Sequence, residues 1–301
     1  MYPAAFHYHR AQSLKEAVAI LSELGDNARP LAGGQSLIPL MKLRLARPSA
    51  LVDLNFIPGI SHIENKDGAI CLGALARHSQ IAASEIVSAI PILHDCASGI
   101  ADAQVRNRGT IGGSLAEADP SGDWGPVLLA LSSEVRCIGA QGERAVPLAD
   151  FIVDAYTTVM GSGELVREIV VKVPPKNSGG AYVAFKRCAS VYASASAAVQ
   201  LTMSNKDTCA DARIWLGCVG LTAIHAEQAE SELRGKSVTS QTIARAAEAA
   251  MAAAEPQPDM RGSVEYKRVL IGALVKRAIG MALRRSRGER VEVGHEYIGR
   301  S

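Results

Sequence analysis

Apolar and polar residues alternate along this chain in two different manners, short mixed elements first and longer strands and helices after about residue 180. Ser13 and Glu16 precede the apolar run AVAILSEL with capping-box spacing, so the pattern predicts a helix over 13–24 that Gly25 and Asp26 end. ARPLAGG then reads as a short buried strand entering a glycine pair. Leu37, Leu40, Met41 and Leu45 fall on one face of a helix that Ser36 caps; Pro39 is tolerated in its first turn, where the missing N–H has no intrahelical partner. ALVDLN is a strand, and NKDGAICLGALA a hairpin arm leading to a helix over 79–88. A helical stretch runs from Pro91 to about 99, DWGPVLLALSS is a further helix, and SEVRCIGA and GERAVPLADF are strands around a turn. The pattern to this point is α+β with short strands.

Proline, glycine and polar residues cluster over 173–181 (VPPKNSGGA), as at a domain boundary. Beyond it AYVAFKRC, SAAVQLTM and DARIWLGCVG alternate as three strands of an antiparallel sheet. An alanine-rich helix over 239–254 and a long one over 264–285 follow. In the latter Val269, Leu270, Ala273, Leu274, Ala278, Met281 and Ala282 recur at helical spacing, predicting one buried stripe.

A length of 301 residues allows two or three subdomains with their own cores. No apolar stretch approaches the roughly 20 residues that cross a bilayer, and the N-terminal segment has charges and histidines where a secretory signal needs an apolar run. The expected location is therefore the cytoplasm. A net charge of +2 spread evenly, with 4% aromatic residues, argues against nucleic acid as a partner. The six cysteines form no Cys-x-x-Cys and read as small buried hydrophobes, so the chain carries no iron–sulfur motif of its own. His7 with His9, and His225 with Glu227, lack a third ligand and read as solvated or core histidines; no metal site is expected. Arg284, Arg285, Arg287 and Arg290 form a basic tail, solvated or facing an acidic partner.

Two stretches carry candidate chemistry: LAGGQSL at 31–37 and TIGGSL at 110–115, each an apolar residue, paired glycines and a hydroxyl before a helix. Glycine is costly to order and is retained where φ is positive or another group approaches the backbone closely. Backbone N–H groups at two such turns can hold a diphosphate, and Gly33 and Gly112 are expected to make room for it. There is no Gly-Lys-Ser/Thr of a P-loop, and GSGELV at 161–166 lacks the third glycine of a dinucleotide fingerprint. No Ser-His-Asp or paired-carboxylate constellation stands out, so no catalytic side chain is assigned.

AGGQSLIPLMKLRLARPSALVDLN, RNRGTIGGSLAEADPSGDW, AFKRCASVYASAS and DMRGSVEYKR together resemble the FAD-binding medium subunit of the molybdenum hydroxylases, the family of aerobic carbon monoxide dehydrogenase and xanthine dehydrogenase. The resemblance implies an FAD-binding domain of the vanillyl-alcohol-oxidase (PCMH) type over 1–176, in α+β subdomains of about 1–58 and 59–176. It further implies a C-terminal domain over 177–290 with the three-stranded sheet and helices, and a tail over 291–301. Implied partners are a large molybdopterin-binding subunit and a small subunit with two [2Fe–2S] clusters, assembled as a dimer of heterotrimers. Carried over residue by residue, Leu31, Ala32, Gly33, Gly34, Gln35, Ser36 and Leu37 form the first pyrophosphate loop, and Thr110, Ile111, Gly112, Gly113 and Ser114 the second. Asp123 matches an aspartate that contacts hydroxyl groups of the cofactor, though a helix N-cap would also place it. Leu165 matches an apolar FAD contact, as a core leucine would also appear. Lys186 matches a cation beside the flavin, where an exposed strand lysine is the alternative. Tyr192 matches an aromatic near the isoalloxazine, where a packed tyrosine is the alternative.

The implied function is an electron-transfer subunit that binds FAD non-covalently and passes electrons from the partner's clusters to an external acceptor. A free-standing FAD oxidoreductase and a non-catalytic nucleotide-binding module are the competing readings; turnover by the lone chain, or purification without flavin, distinguishes them.

Overall fold

The computed structural model describes residues 2–293, so 294–301 of the predicted tail lie outside it. The N-terminal subdomain is a three-stranded parallel sheet ordered His7–Arg10, Ala50–Asp53, Ala28–Leu31. Helix Leu14–Leu24 buries Ala17, Val18 and Leu21 on that unit. It begins where Ser13 Oγ accepts the Glu16 N–H, as the capping spacing predicts. Strand His7–Arg10 was not expected: its polar sequence and exposed edge position hide the alternation, and His7 and His9 are simply part of it.

The second subdomain is a five-stranded antiparallel sheet ordered Ile63–Lys66, Ala69–Gly73, Leu165–Lys172, Glu134–Gly139, Gly142–Pro147. Its central strand, Leu165–Lys172, also escapes the sequence pattern. A register shift between Val166 and Glu168 breaks the alternation, and Arg167 with Glu168 interrupts the apolar run. Helices Pro91–Gly99, Ile111–Glu117 and Trp124–Ala130 pack with this sheet in one core that includes Trp124 and Phe151. The helix predicted over 79–88 is shorter, His78–Ala83, because the backbone at Ser84 is extended; a single 3₁₀ turn follows at Val87–Ala89.

The C-terminal sheet has four strands rather than three: Ser178–Phe185, Ala195–Met203, Cys209–Gly217 and the two-residue Ile224–His225. Helices Ser240–Ala253 and Val264–Ser286 share its core. The buried stripe of the long helix matches the predicted one at Leu274, Ala278, Met281 and Ala282 and is wider on one side. Val269 is 62% exposed, while Ile271, Leu274, Val275, Ala278, Ile279 and Ala282 face the core, because apolar residues occupy more than one side of this helix and the sheet selects the side. Nor is the basic tail simply solvated. The side chain of Arg285 is 6% exposed and forms a two-point ion pair with Asp95, at 2.6 and 2.9 Å, across to helix Pro91–Gly99. Four of the cysteines are buried as expected, but Cys188, in the segment after strand Ser178–Phe185, is exposed.

Candidate cofactor site

Strand Ala28–Leu31 delivers the chain into the first glycine turn. Gly34 sits at φ +72, a left-handed conformation that favours glycine. Gly33 has a different reason: a Cβ there would stand 2.2 Å from the Arg108 carbonyl oxygen and 2.9 Å from the Gly109 Cα. The close approach is therefore chain to chain, not chain to ligand. Among the described residues the N–H groups of Gly34, Gln35 and Ser36 donate to no protein acceptor. Ser36 does not cap helix Leu37–Lys42; its backbone is already helical and its hydroxyl makes no cap bond. That helix ends at Lys42, so Leu45 is exposed instead of joining the stripe.

The second turn works by packing. Thr110 Oγ1 caps helix Ile111–Glu117 by accepting the Gly113 N–H at 3.2 Å. Ile111 and Gly112 donate to the carbonyls of Ala76 and Ala74, and a Cβ on Gly112 would meet Ala74 at 2.6 Å. Its N–H groups are thus spent within the protein, which corrects the expectation that both loops offer donors. What this turn brings is a smooth wall: Gly113 faces Ala32 of the first loop, 3.6 Å from where a Cβ would stand.

A polar chain ties the two turns together. The Asn55 side chain donates to the Ala32 carbonyl at 2.9 Å, and Arg77 donates both to Asn55 Oδ1 and to the Arg108 carbonyl. Asn55 also donates to Asp53, which accepts from the Tyr8 hydroxyl as well. Burial works against the Asp53 carboxylate, but the bonds from Tyr8 and Asn55 outweigh it and hold its carboxyl below the ordinary range.

Both turns open on one cavity of about 760 Å³, inside the range of cofactor sites. Every predicted cofactor residue lines it except Leu31, which ends a strand, and Ile111, which is fully buried in the core. Asp123 does not cap its helix; its carboxylate accepts from the Tyr182 hydroxyl at 2.7 Å and pairs with Lys186 Nζ at 3.2 Å. Lys186 is not an exposed strand lysine: its side chain is 11% exposed and also donates to the Gly99 carbonyl at 2.8 Å. Leu165 is a buried core residue and a wall of the cavity at once. Tyr192, half-exposed, lines the cavity with the Arg261 guanidinium 5.7 Å from its ring. Burial and then Asp119 push its phenol upward.

Sequence reasoning missed three groups. His78 lines the cavity, takes the Trp124 indole N–H on Nδ1 at 3.1 Å and is driven by burial down to about 4. Asp119 and Tyr156 stand at the cavity too; burial and then Asp119 raise the Tyr156 phenol. Asp119 and His78 lie within or beside the quoted motifs, but no spacing distinguishes them from turn and core residues. His225, weighed earlier as a metal ligand, stacks on Trp215 at 4.5 Å and bonds Glu230. Among the described residues no group of three His, Cys, Asp or Glu side chains is placed to hold a metal.

Three unpaired N–H groups, hydroxyls from two turns, a lysine and a partly apolar cavity suit a dinucleotide with a diphosphate centre. The fold and this site define a flavin-binding protein of the PCMH type. Residues 4–175 match the family model for the FAD binding domain in molybdopterin dehydrogenase, and residues 180–282 the CO dehydrogenase flavoprotein C-terminal domain. The 6-hydroxypseudooxynicotine dehydrogenase complex subunit alpha of Paenarthrobacter nicotinovorans is 40% identical over 296 residues, 98% of this chain and 100% of that one. The carbon monoxide dehydrogenase medium chain of Hydrogenophaga pseudoflava is 40% identical over 94% of this chain and 98% of its own. A solved structure of carbon monoxide dehydrogenase from that organism superposes with a TM-score of 0.92, covering 95% of this chain and 99% of the matched one. The chain belongs to the FAD-binding medium subunits of the molybdenum hydroxylases: it is an oxidoreductase flavoprotein subunit with FAD as its cofactor. No helix among the described residues is long and apolar enough to cross a membrane.

Proposed function

We propose that this chain is the electron-exit subunit of a cytoplasmic heterotrimer, paired into a dimer of heterotrimers. Its partners are a large subunit that oxidises substrate at a molybdopterin cofactor and a small subunit with two [2Fe–2S] clusters. When bound, FAD would supply the redox chemistry between the partner's clusters and an external acceptor. Residues 1–176 hold the cofactor and 177–290 form the domain that closes its site. The N–H groups of Gly34, Gln35 and Ser36 take the diphosphate, with Ser114 beside them. Leu165 and Tyr192, both lining the cavity, would hold the ring system and exclude water from it. Lys186, held by Asp123, places a cation where a reduced, anionic flavin is stabilised.

The observation that carries this reading is the single cavity onto which both glycine turns and the Lys186–Asp123 pair open. The names of the relatives, each a subunit or chain of a dehydrogenase, support the assembly. The test uses the purified chain and the assembly reconstituted with its two partners. The lone chain is expected to hold reducible FAD, released into the supernatant by acid precipitation because neither glycine turn carries a histidine or cysteine for attachment. It is expected to oxidise no organic substrate, while the assembly reduces an artificial acceptor. Substrate turnover by the lone chain would overturn the assignment.

A further inference from the structure

The lysine at the cavity wall is held by a carboxylate that is itself shared. Tyr182 lies within strand Ser178–Phe185 and Lys186 follows its last residue, and both side chains reach the Asp123 carboxylate. The Tyr182 hydroxyl donates to Asp123 Oδ1 at 2.7 Å, and Lys186 Nζ stands 3.2 and 3.3 Å from the two oxygens of the same group. An ammonium has three N–H donors. The Gly99 carbonyl and the two Asp123 oxygens surround it on the protein side, and Lys186 lines the cavity.

The anchorage of this cluster is buried and runs to the C-terminal helix. The Tyr182 backbone N–H donates to Asp95 Oδ2 at 3.1 Å, and Asp95 is clamped by Arg285, which also bonds the Gly180 carbonyl. Asp95 and Gly99 belong to one helix, Pro91–Gly99, so the residue that fixes the tyrosine backbone rides on the element that presents a carbonyl to the lysine. Tyr182 is thereby fixed at both ends, 3% exposed, with little freedom to follow its partner.

We propose that Tyr182 is a positioning residue for the flavin: by taking a share of the Asp123 carboxylate it restrains that anion from closing on Lys186 and so sets how much of the lysine's charge reaches the cavity. Two donors compete for one carboxylate. Without the phenol, Asp123 is satisfied only by Lys186, draws closer to it and offsets more of its charge, so the reduced flavin loses stabilisation. This inference rests on the FAD reading above.

The experiment measures midpoint potentials of the FAD-loaded full chain by spectroelectrochemistry. Tyr182→Phe keeps the ring in the core and is expected to lower the midpoint by about 30 mV, a tenfold change in the reduced-to-oxidised ratio at fixed poise for a two-electron couple. In a Lys186→Met background the same substitution is expected to add no shift, a non-additivity that a merely structural role would not produce. Asp123→Asn, which unpairs the lysine without removing its charge, is expected to raise the midpoint, and it keeps the test open where the phenylalanine variant does not fold. An unchanged midpoint in a folded Tyr182→Phe variant, an equal shift with and without Lys186, or an unmoved midpoint in Asp123→Asn would each overturn the proposal. A wild-type chain that binds no FAD overturns the cofactor reading and this inference with it, whereas bound FAD with unmoved midpoints overturns this inference alone.

Discussion

Gly33 lies directly against the Arg108 carbonyl, leaving no space for a Cβ, which would come within 2.2 Å of that oxygen. The obstacle is backbone and cannot rotate away. Gly33→Ala is therefore expected to destabilise the fold itself, by about 1–3 kcal/mol or more, and not merely to empty the cofactor site. Gly34→Ala serves as the comparison. Its Cβ meets only the flexible ends of Ile38 and Leu31, and its cost is the positive φ, about 1 kcal/mol. Urea unfolding of the two variants tests the order; a Gly33→Ala protein as stable as Gly34→Ala would show that the two turns separate without loss.

Asn55 and Arg77 join the turns without reaching into the core. Asn55→Ala removes the donor to the Ala32 carbonyl and the acceptor of Arg77 together. FAD affinity is expected to fall about tenfold to a hundredfold, the equivalent of one or two hydrogen bonds left unmade. Fluorescence titration of flavin into the apo chain measures it. Arg77→Ala added to Asn55→Ala is expected to cost less than it does alone, since the link is already broken. Additive losses would mean that the two residues act separately.

How much of this was legible in the sequence depends on where the information lies. The glycine turns, the helix cap at Ser13 and the long helices are local features, written in consecutive residues. The central strand Leu165–Lys172 was not legible, because its bulge breaks the period that reveals strands, and the edge strand His7–Arg10 is too polar to declare a buried face. At the site, residue choice was readable but mechanism was not. Gly33 and Gly112 look like ligand glycines in sequence, yet their constraints come from Arg108 and Ala74, dozens of positions away. Lys186 likewise acquires its meaning only through Asp123 and Gly99, which the fold brings to it.

His78 makes the fold acid-sensitive in a defined window. Burial holds its folded-state value near 4 against about 6.5 in the unfolded chain, so below pH 6.5 the unfolded state binds the extra proton. Stability is present above that value and is lost as the pH falls from 6.5 toward 4. The loss between pH 7 and pH 5 is expected to be about 2 kcal/mol. His78→Asn keeps an acceptor for the Trp124 N–H and removes the titration. Urea midpoints at the two pH values, compared between wild type and variant, isolate this contribution from that of the carboxylates; equal pH slopes in both proteins would assign the acid sensitivity elsewhere.

Arg285 and Asp95 give the sharpest test of how the C-terminal domain holds the cofactor domain. Their ion pair is almost fully removed from water, and its neighbours, the Tyr182 N–H and the Gly180 carbonyl, are also buried backbone groups. Removing one partner leaves a charge without compensation, so Arg285→Met is expected to cost about 3–5 kcal/mol. The double variant Asp95→Asn with Arg285→Met carries no orphaned charge, and the asparagine oxygen can still accept the Tyr182 N–H. It is expected to regain a substantial part of the loss, which separates the cost of an unpaired carboxylate from the cost of lost packing. The same comparison reads out at the cofactor: in the single variant helix Pro91–Gly99 loses its clamp, the Gly99 carbonyl loosens from Lys186, and FAD is expected to dissociate faster. Denaturant midpoints and flavin release rates measured on the same three proteins decide it. An Arg285→Met chain within 1 kcal/mol of wild type, or a double variant no better than the single, would mean that the pair is incidental to the contact between the domains.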